Sequence, residues 1–523
     1  MKRLDRHLLI LFVLVALYTA VFSTLWIMRH RALFSYEFED DAGRNQMIYN
    51  VFHGRPFYST VKGVYLGGHA SIVWAVLAVP ALVYPGIETS CVVLSLGLGL
   101  TVVPVYLVAR EVLKSRWQAL LLGGAFLLYA PLHAINLHTL NAVTPAVPLL
   151  AWAYWAFHLK RLRAFLVFAL LAMLCKENVA LAVGMFGVVA LVKRRPWVWS
   201  VIPIAAAGLW LVVAFKVILP GTYTRPLRPT SWFIGARESA AAGGPGGVSG
   251  SLLWIASHPG EALTRMLGPD RWLLFGQLFG PVLLVCFLAP GALAVALPAF
   301  GQLLMHEGML PLYHRHWIAP TLPFIMMATV FGCARAKRLL QSRSGEARSV
   351  TGLVLAVVLV GCLASNVAPN IMGHMRVHAW GRPEPPPAMQ RAATVYDPVF
   401  RRETERSRTA RDLIRRIPPD ASVTASGDLL VPLSARRALY VFLDTDSPWQ
   451  EADYALINTR AVYFGAGRYP LALRRTDALP PEVLPELHRR RVVALIEAWV
   501  ASGTWSLVEQ RGDIYLLKRR RDG

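Results

Sequence analysis

The chain has 523 residues, 55% of them apolar, with a mean hydropathy of +0.44 and a formal net charge of +23. That is too apolar and too sparsely charged for an ordinary soluble domain. The charge distribution also argues against nucleic acid as a partner: residues 1–368 hold 30 Lys or Arg against 13 Asp or Glu, mostly in short loops between apolar runs, where basic residues set membrane orientation and meet anionic lipid.

MKRLDRH precedes a long apolar run without an A-x-A-like cleavage site, which reads as a retained first helix near 8–28 rather than a removed signal. A loop over 29–69 follows. It carries Glu37, Glu39, Asp40 and Asp41, then Arg44, Asn45, Gln46, Asn50, His53, Arg55, Lys62 and His69. Clustered carboxylates suit a general base or a divalent-cation site, and the donors suit phosphate or sugar hydroxyls. A solvated acidic loop has the same composition. Residues 70–85 are apolar but short and interrupted by Pro80 and Pro85, so they read as a juxtamembrane or re-entrant segment.

Ten further spans are expected near 88–109, 117–133, 142–158, 163–175, 178–192, 197–219, 271–288, 289–306, 317–334 and 350–368, giving about eleven in all. With the N-terminus inside, the inner loops collect 17 of the 30 basic residues and only Asp5, Glu111 and Glu346 among the acids, as the positive-inside rule requires. The first loop, a second long loop over 220–270 and the C-terminal region then lie outside. Lys176-Glu177-Asn178 interrupts an apolar stretch and marks either a cavity or a hairpin turn with a snorkelling lysine. His133, Asn136, His138 and Asn141 cap a helix end or wall the same cavity. His306-Glu307 and Tyr313-His314-Arg315-His316-Trp317 supply an anion site or an interfacial belt.

No internal repeat is evident, which argues against an inverted-repeat transporter. Cys91, Cys175, Cys286, Cys333 and Cys362 all lie in or beside apolar runs and read as small hydrophobes. After a Pro-rich linker over 369–400, residues 401–523 alternate helix and short strand patterns, with a final hairpin turning at Arg511–Gly512. The expected architecture is an all-α polytopic membrane domain over 1–368, with about eleven spans and a juxtamembrane helix, followed by a small extracytoplasmic α/β domain.

The chain resembles the bacterial membrane proteins grouped as domain of unknown function 2079. The likeness runs through DAGRNQMIYNVFHG from Asp41, GGHASIVWAVLAVPALVYPG, LLYAPLHAINLHTLNAVTPAVPLLAWAYW, LLAMLCKENVAL, LYHRHWIAPTLPF and IPPDASVTASGDLLVPLSARRALYVF. That family looks like a branch of the C-type (GT-C) glycosyltransferases, which use polyprenyl-phosphate sugars. The resemblance implies a plasma-membrane enzyme moving a sugar from a lipid carrier to an acceptor on the outer face. Asp40 or Asp41 would be the base or metal carboxylate. Arg44, His69, His138, Lys176, Glu177, His314 and Arg315 would line the pocket. No cofactor is fixed by this likeness, though a divalent metal ion is compatible with it. The chain has Thr139-Leu140-Asn141 and Asn178 where relatives tend to place Pro-Glu and Asp, which removes two carboxylates from any metal set. A flippase for a lipid-linked solute and a non-catalytic envelope protein are the alternatives.

Overall fold

A computed structural model describes residues 5–35, 37–222, 233–245, 247–306, 316–344, 347–367, 401–444, 446–460 and 484–520. The chain is a multi-pass, all-α membrane protein with a small β-rich C-terminal region. The span count expected from hydropathy is corrected. Among the described residues four helices are long and apolar enough to cross a membrane: Arg6–Arg31 (α1), Ile87–Leu113, Val198–Gly221 and His316–Leu339. A fifth is reached only if Arg116–Leu127 and Ala130–His138, bent by 42°, count as one.

The other expected spans fail on length. Leu162–Met173 and Val179–Val192 have 12 and 14 residues, or roughly 18 and 21 Å of helix against the ~30 Å hydrocarbon core. Residues 142–158 form helix only over Ala146–His158. Residues 271–288 lose their helix at Phe279, where Pro281 leads into 3-10 turns and left-handed Leu283 and Leu284. Hydropathy counts apolar residues. It does not register where the backbone hydrogen-bond ladder stops.

These helices pack around a continuous apolar core. Phe157, Phe165, Phe186, Trp199 and Phe324 interlock at one place in it. The hairpin of Val179–Val192 with Val198–Val213 closes tightly because Gly187 has no side chain: a Cβ there would lie 2.6 Å from the Ser200 carbonyl oxygen. All five cysteines are buried and none forms a disulfide, consistent with packing as small hydrophobes.

Two short elements follow α1. Phe38–Asn50 forms α2, and Trp74–Ala81 forms α3, an eight-residue helix whose Val76 and Val79 are exposed together with Leu82 and Val83 beyond it. Between them Tyr58–Ser59 (β1) pairs antiparallel with Val64–Tyr65 (β2).

In the C-terminal region Val423–Ala425 (β3), Leu439–Val441 (β4), Tyr454–Asn458 (β5), Trp505–Arg511 (β6) and Ile514–Arg519 (β7) form one sheet of order β4-β3-β5-β7-β6. Strand β3 runs parallel to β4 and β5, whereas β7 is antiparallel to both β5 and β6. Five strands with the helices Glu405–Ile414 and Leu484–Ala501 make this region β-rich, in place of the expected α/β domain. It rests on the first loop: Thr60 Oγ1 donates to the Leu439 carbonyl at 2.6 Å and accepts from its N–H at 2.8 Å.

Candidate active site

The acidic run of the first loop opens a helix. Glu39, Asp40 and Asp41 occupy the first turn of α2, where carboxylates complement the positive end of the backbone dipole. Successive helical positions point about 100° apart, and that separates the fates of the two aspartates.

Asp41 points inward and is fully buried. Its Oδ1 accepts from Thr139 Oγ1 and from the Leu140 N–H, both at 2.6 Å, and its Oδ2 accepts from Ser35 Oγ at 2.5 Å. Burial opposes its charge, but His30, Arg29 and these hydrogen bonds outweigh it and hold the carboxyl below its ordinary pKa. Asp40 lies on the open side. Its two oxygens meet Arg44, at 2.6 Å, and Lys62. Arg44 is itself buried and donates to the Leu140 carbonyl at 2.5 Å.

The other half of the site comes from distant sequence. Gly67 and Gly68 both take positive φ, a conformation glycine adopts without strain, and the chain turns so that His69 meets Glu177. His69 Nδ1 lies 2.9 Å from Glu177 Oε1, and the Ala70 N–H donates to Oε2 at 3.1 Å. Lys176 is buried beside them. Its charge acts on both His69 and Glu177, and Arg44 acts on His69 and Lys176. Arg44, His69, Lys176 and Glu177 therefore lie near one another, with Asp40 joined to Arg44 and Lys62.

His138 is buried, its ring 6.2 Å from that of His316 and its carbonyl accepting from Arg29 at 3.1 Å. His314 and Arg315 lie outside the described residues. Ser35, Thr139 and the Leu140 N–H, which hold Asp41, carry no signal in sequence beyond being polar. They are found only by folding.

Burial works against the Glu177 carboxylate too, but His69, its hydrogen bond and Lys176 together bring the pKa to about 2, from an ordinary 4.5. A depressed folded-state pKa stabilises above the unfolded value and loses that stabilisation as pH falls. With its side chain 12% exposed, the ionised Glu177 is expected to stabilise the fold at neutral pH, a contribution that fades as pH falls from 4.5 toward about 2. Thermal unfolding of wild type and Glu177→Gln in detergent checks this. The gap in melting temperature should be widest near neutrality and close in acid, and a pH-independent gap would refute it.

Among the described residues no three His, Cys, Asp or Glu side chains gather as a metal-binding group. Asp40 is paired with Arg44 and Lys62, and Glu177 with His69 and the Ala70 N–H.

A family model described as Predicted membrane protein (DUF2079) matches residues 29–471. Among solved structures, the chain is similar to the crystal structure of ArnT from Cupriavidus metallidurans bound to undecaprenyl phosphate, with 12% identity and a TM-score of 0.48, covering 96% of this chain and 97% of that one. The apo state of the same protein matches with 12% identity, a TM-score of 0.46 and the same coverage. No curated protein matches.

Proposed function

The chain belongs to the DUF2079 family of membrane proteins, and on that premise we propose that it is a glycosyltransferase of the bacterial plasma membrane, moving a sugar from a polyprenyl-phosphate carrier to an acceptor at the outer face. One juxtaposition supports the reading. The cations Arg44, Lys62 and Lys176 gather around half-buried Asp40, His69 and Glu177. Immediately beyond His69 and Ala70 the chain enters α3, whose Val76 and Val79, with Val83 after it, are exposed. A cationic cluster beside an exposed apolar helix suits an anionic headgroup on a lipid tail.

In this reading Lys176 and Arg44 receive the negative charge that grows on the departing phosphate. Asp40 spaces Arg44 from Lys62, and Asp41 holds the loop rigid by its hydrogen bonds to Ser35, Thr139 and Leu140.

The test is transfer by the purified full chain in lipid, offered a panel of undecaprenyl-phosphate sugars and hydroxyl acceptors. Wild type is expected to form product. Lys176→Gln is expected to lower kcat by about 10²-fold, and Lys62→Gln chiefly to raise KM for the donor. Folded wild type that transfers from no donor would sink the proposal. Movement of a lipid-linked sugar across the bilayer without covalent transfer would favour a flippase instead.

A further inference from the structure

Two carboxylates were the expected bases, and neither presents a free oxygen. Asp41 is fully buried with three donors on it, and Asp40 is shared by Arg44 and Lys62. The group placed to accept a proton is instead the partly exposed imidazole of His69. Resting on the reading above, we propose that His69 is the general base of the transfer and that Glu177 is the positioning residue that fixes its tautomer.

An ionised glutamate only accepts hydrogen bonds. The 2.9 Å contact from His69 Nδ1 to Glu177 Oε1 therefore places the imidazole proton on Nδ1 and leaves the lone pair on Nε2. The pair has an inner and an outer end: the Glu177 side chain is 12% exposed and that of His69 39%. Glu177 also takes the N–H of Ala70, the next residue, at 3.1 Å, so one carboxylate clamps both the ring and its backbone. A base oriented by a third group in this way is the arrangement that activates hydroxyl nucleophiles. The charged groups acting on His69 are Lys176 and Glu177 from the turn ahead of Val179–Val192, and Arg44 from α2. Burial and the two cations lower the imidazole pKa below its usual value, against the pull of Glu177. The ring is neutral, and so basic, at neutral pH.

The step balances. His69 Nε2 takes the proton of the acceptor O–H as that oxygen bonds to the anomeric carbon of the sugar. The bond from that carbon to the phosphate oxygen breaks, and its electron pair leaves with the polyprenyl phosphate. The added negative charge falls beside Lys176 and Arg44. The imidazolium then loses its proton to water.

His69→Asn separates base from scaffold. The asparagine amide N–H can replace Nδ1–H as donor to Glu177, but nothing replaces Nε2. In the transfer assay with undecaprenyl-phosphate sugars, His69→Asn should lose about 10²-fold or more in kcat, while donor KM and the binding of undecaprenyl phosphate change by no more than about twofold. The acid limb of the wild-type pH profile should vanish with it. Glu177→Gln, which removes a charge that favours the imidazolium, should move that limb to lower pH, a shift that a purely structural role would not produce. Wild-type kcat in His69→Asn would overturn the base assignment and leave the transferase standing. A wild type inactive on every donor would overturn both.

Discussion

Asp41→Ala is expected to cost about 3 kcal/mol or more of stability, enough to dismantle the first loop before any chemistry can be assayed. The carboxylate is fully buried and accepts from Ser35, Thr139 and the Leu140 N–H. Alanine leaves three buried donors without an acceptor, each costing about 1–3 kcal/mol. It also removes the negative charge that acts on buried Arg29, and removing one side of a buried charge pair is costly. Asp41→Asn should fall between, because its oxygen can keep the contacts of Oδ1 while its amide nitrogen turns a donor toward Ser35. Melting temperatures in detergent, with and without undecaprenyl phosphate, measure this. Alanine should melt lowest and asparagine between it and wild type. If all three melt together, Asp41 is not a structural tie.

The contrast between Asp40 and Asp41 shows where sequence stops being informative. The run Glu39-Asp40-Asp41 was legible as a functional candidate, and so was the isolated Lys176-Glu177 within an apolar stretch. Which aspartate faces inward depends on a helix, α2, that the polar composition of the loop disguised. The partner of Glu177 lies 108 residues away in sequence, and no local pattern encodes that meeting. The same limit governed the spans. Arg6–Arg31, Ile87–Leu113, Val198–Gly221 and His316–Leu339 were legible because their apolar runs also stay helical over 24 residues or more. Leu162–Met173 and Val179–Val192 are also apolar but are separated by the Lys176 turn, and each is too short to span alone.

Gln46→Leu is expected to loosen the C-terminal region from the first loop, at a cost of about 3 kcal/mol. Gln46 is fully buried on α2. Its Oε1 accepts from the Thr60 N–H at 2.9 Å, Ser59 Oγ at 3.0 Å and the Val61 N–H at 3.3 Å. Its Nε2 donates to Thr60 Oγ1 at 2.8 Å and to the carbonyls of Arg436 and Arg437 at 3.2 and 3.3 Å. One amide thus bridges α2, the β1–β2 turn and the approach to β4. Leucine matches its volume but satisfies none of those groups.

Beside it Asn45 Nδ2 donates to Ser434 Oγ at 2.9 Å, and Met47, Val61, Leu430 and Leu433 are buried in the same apolar cluster. Hydrogen exchange should therefore rise together at residues 59–61 and 429–441 in Gln46→Leu. The β6–β7 hairpin, whose ladder is internal to the sheet, should stay protected. Unchanged exchange at residues 59–61 would refute the coupling. If the two segments do loosen together, α2 loses a support that comes from the far end of the chain. Arg44 and Asp40 lie on that helix, so the proposed transfer should slow in this variant even though Gln46 touches neither His69 nor Lys176.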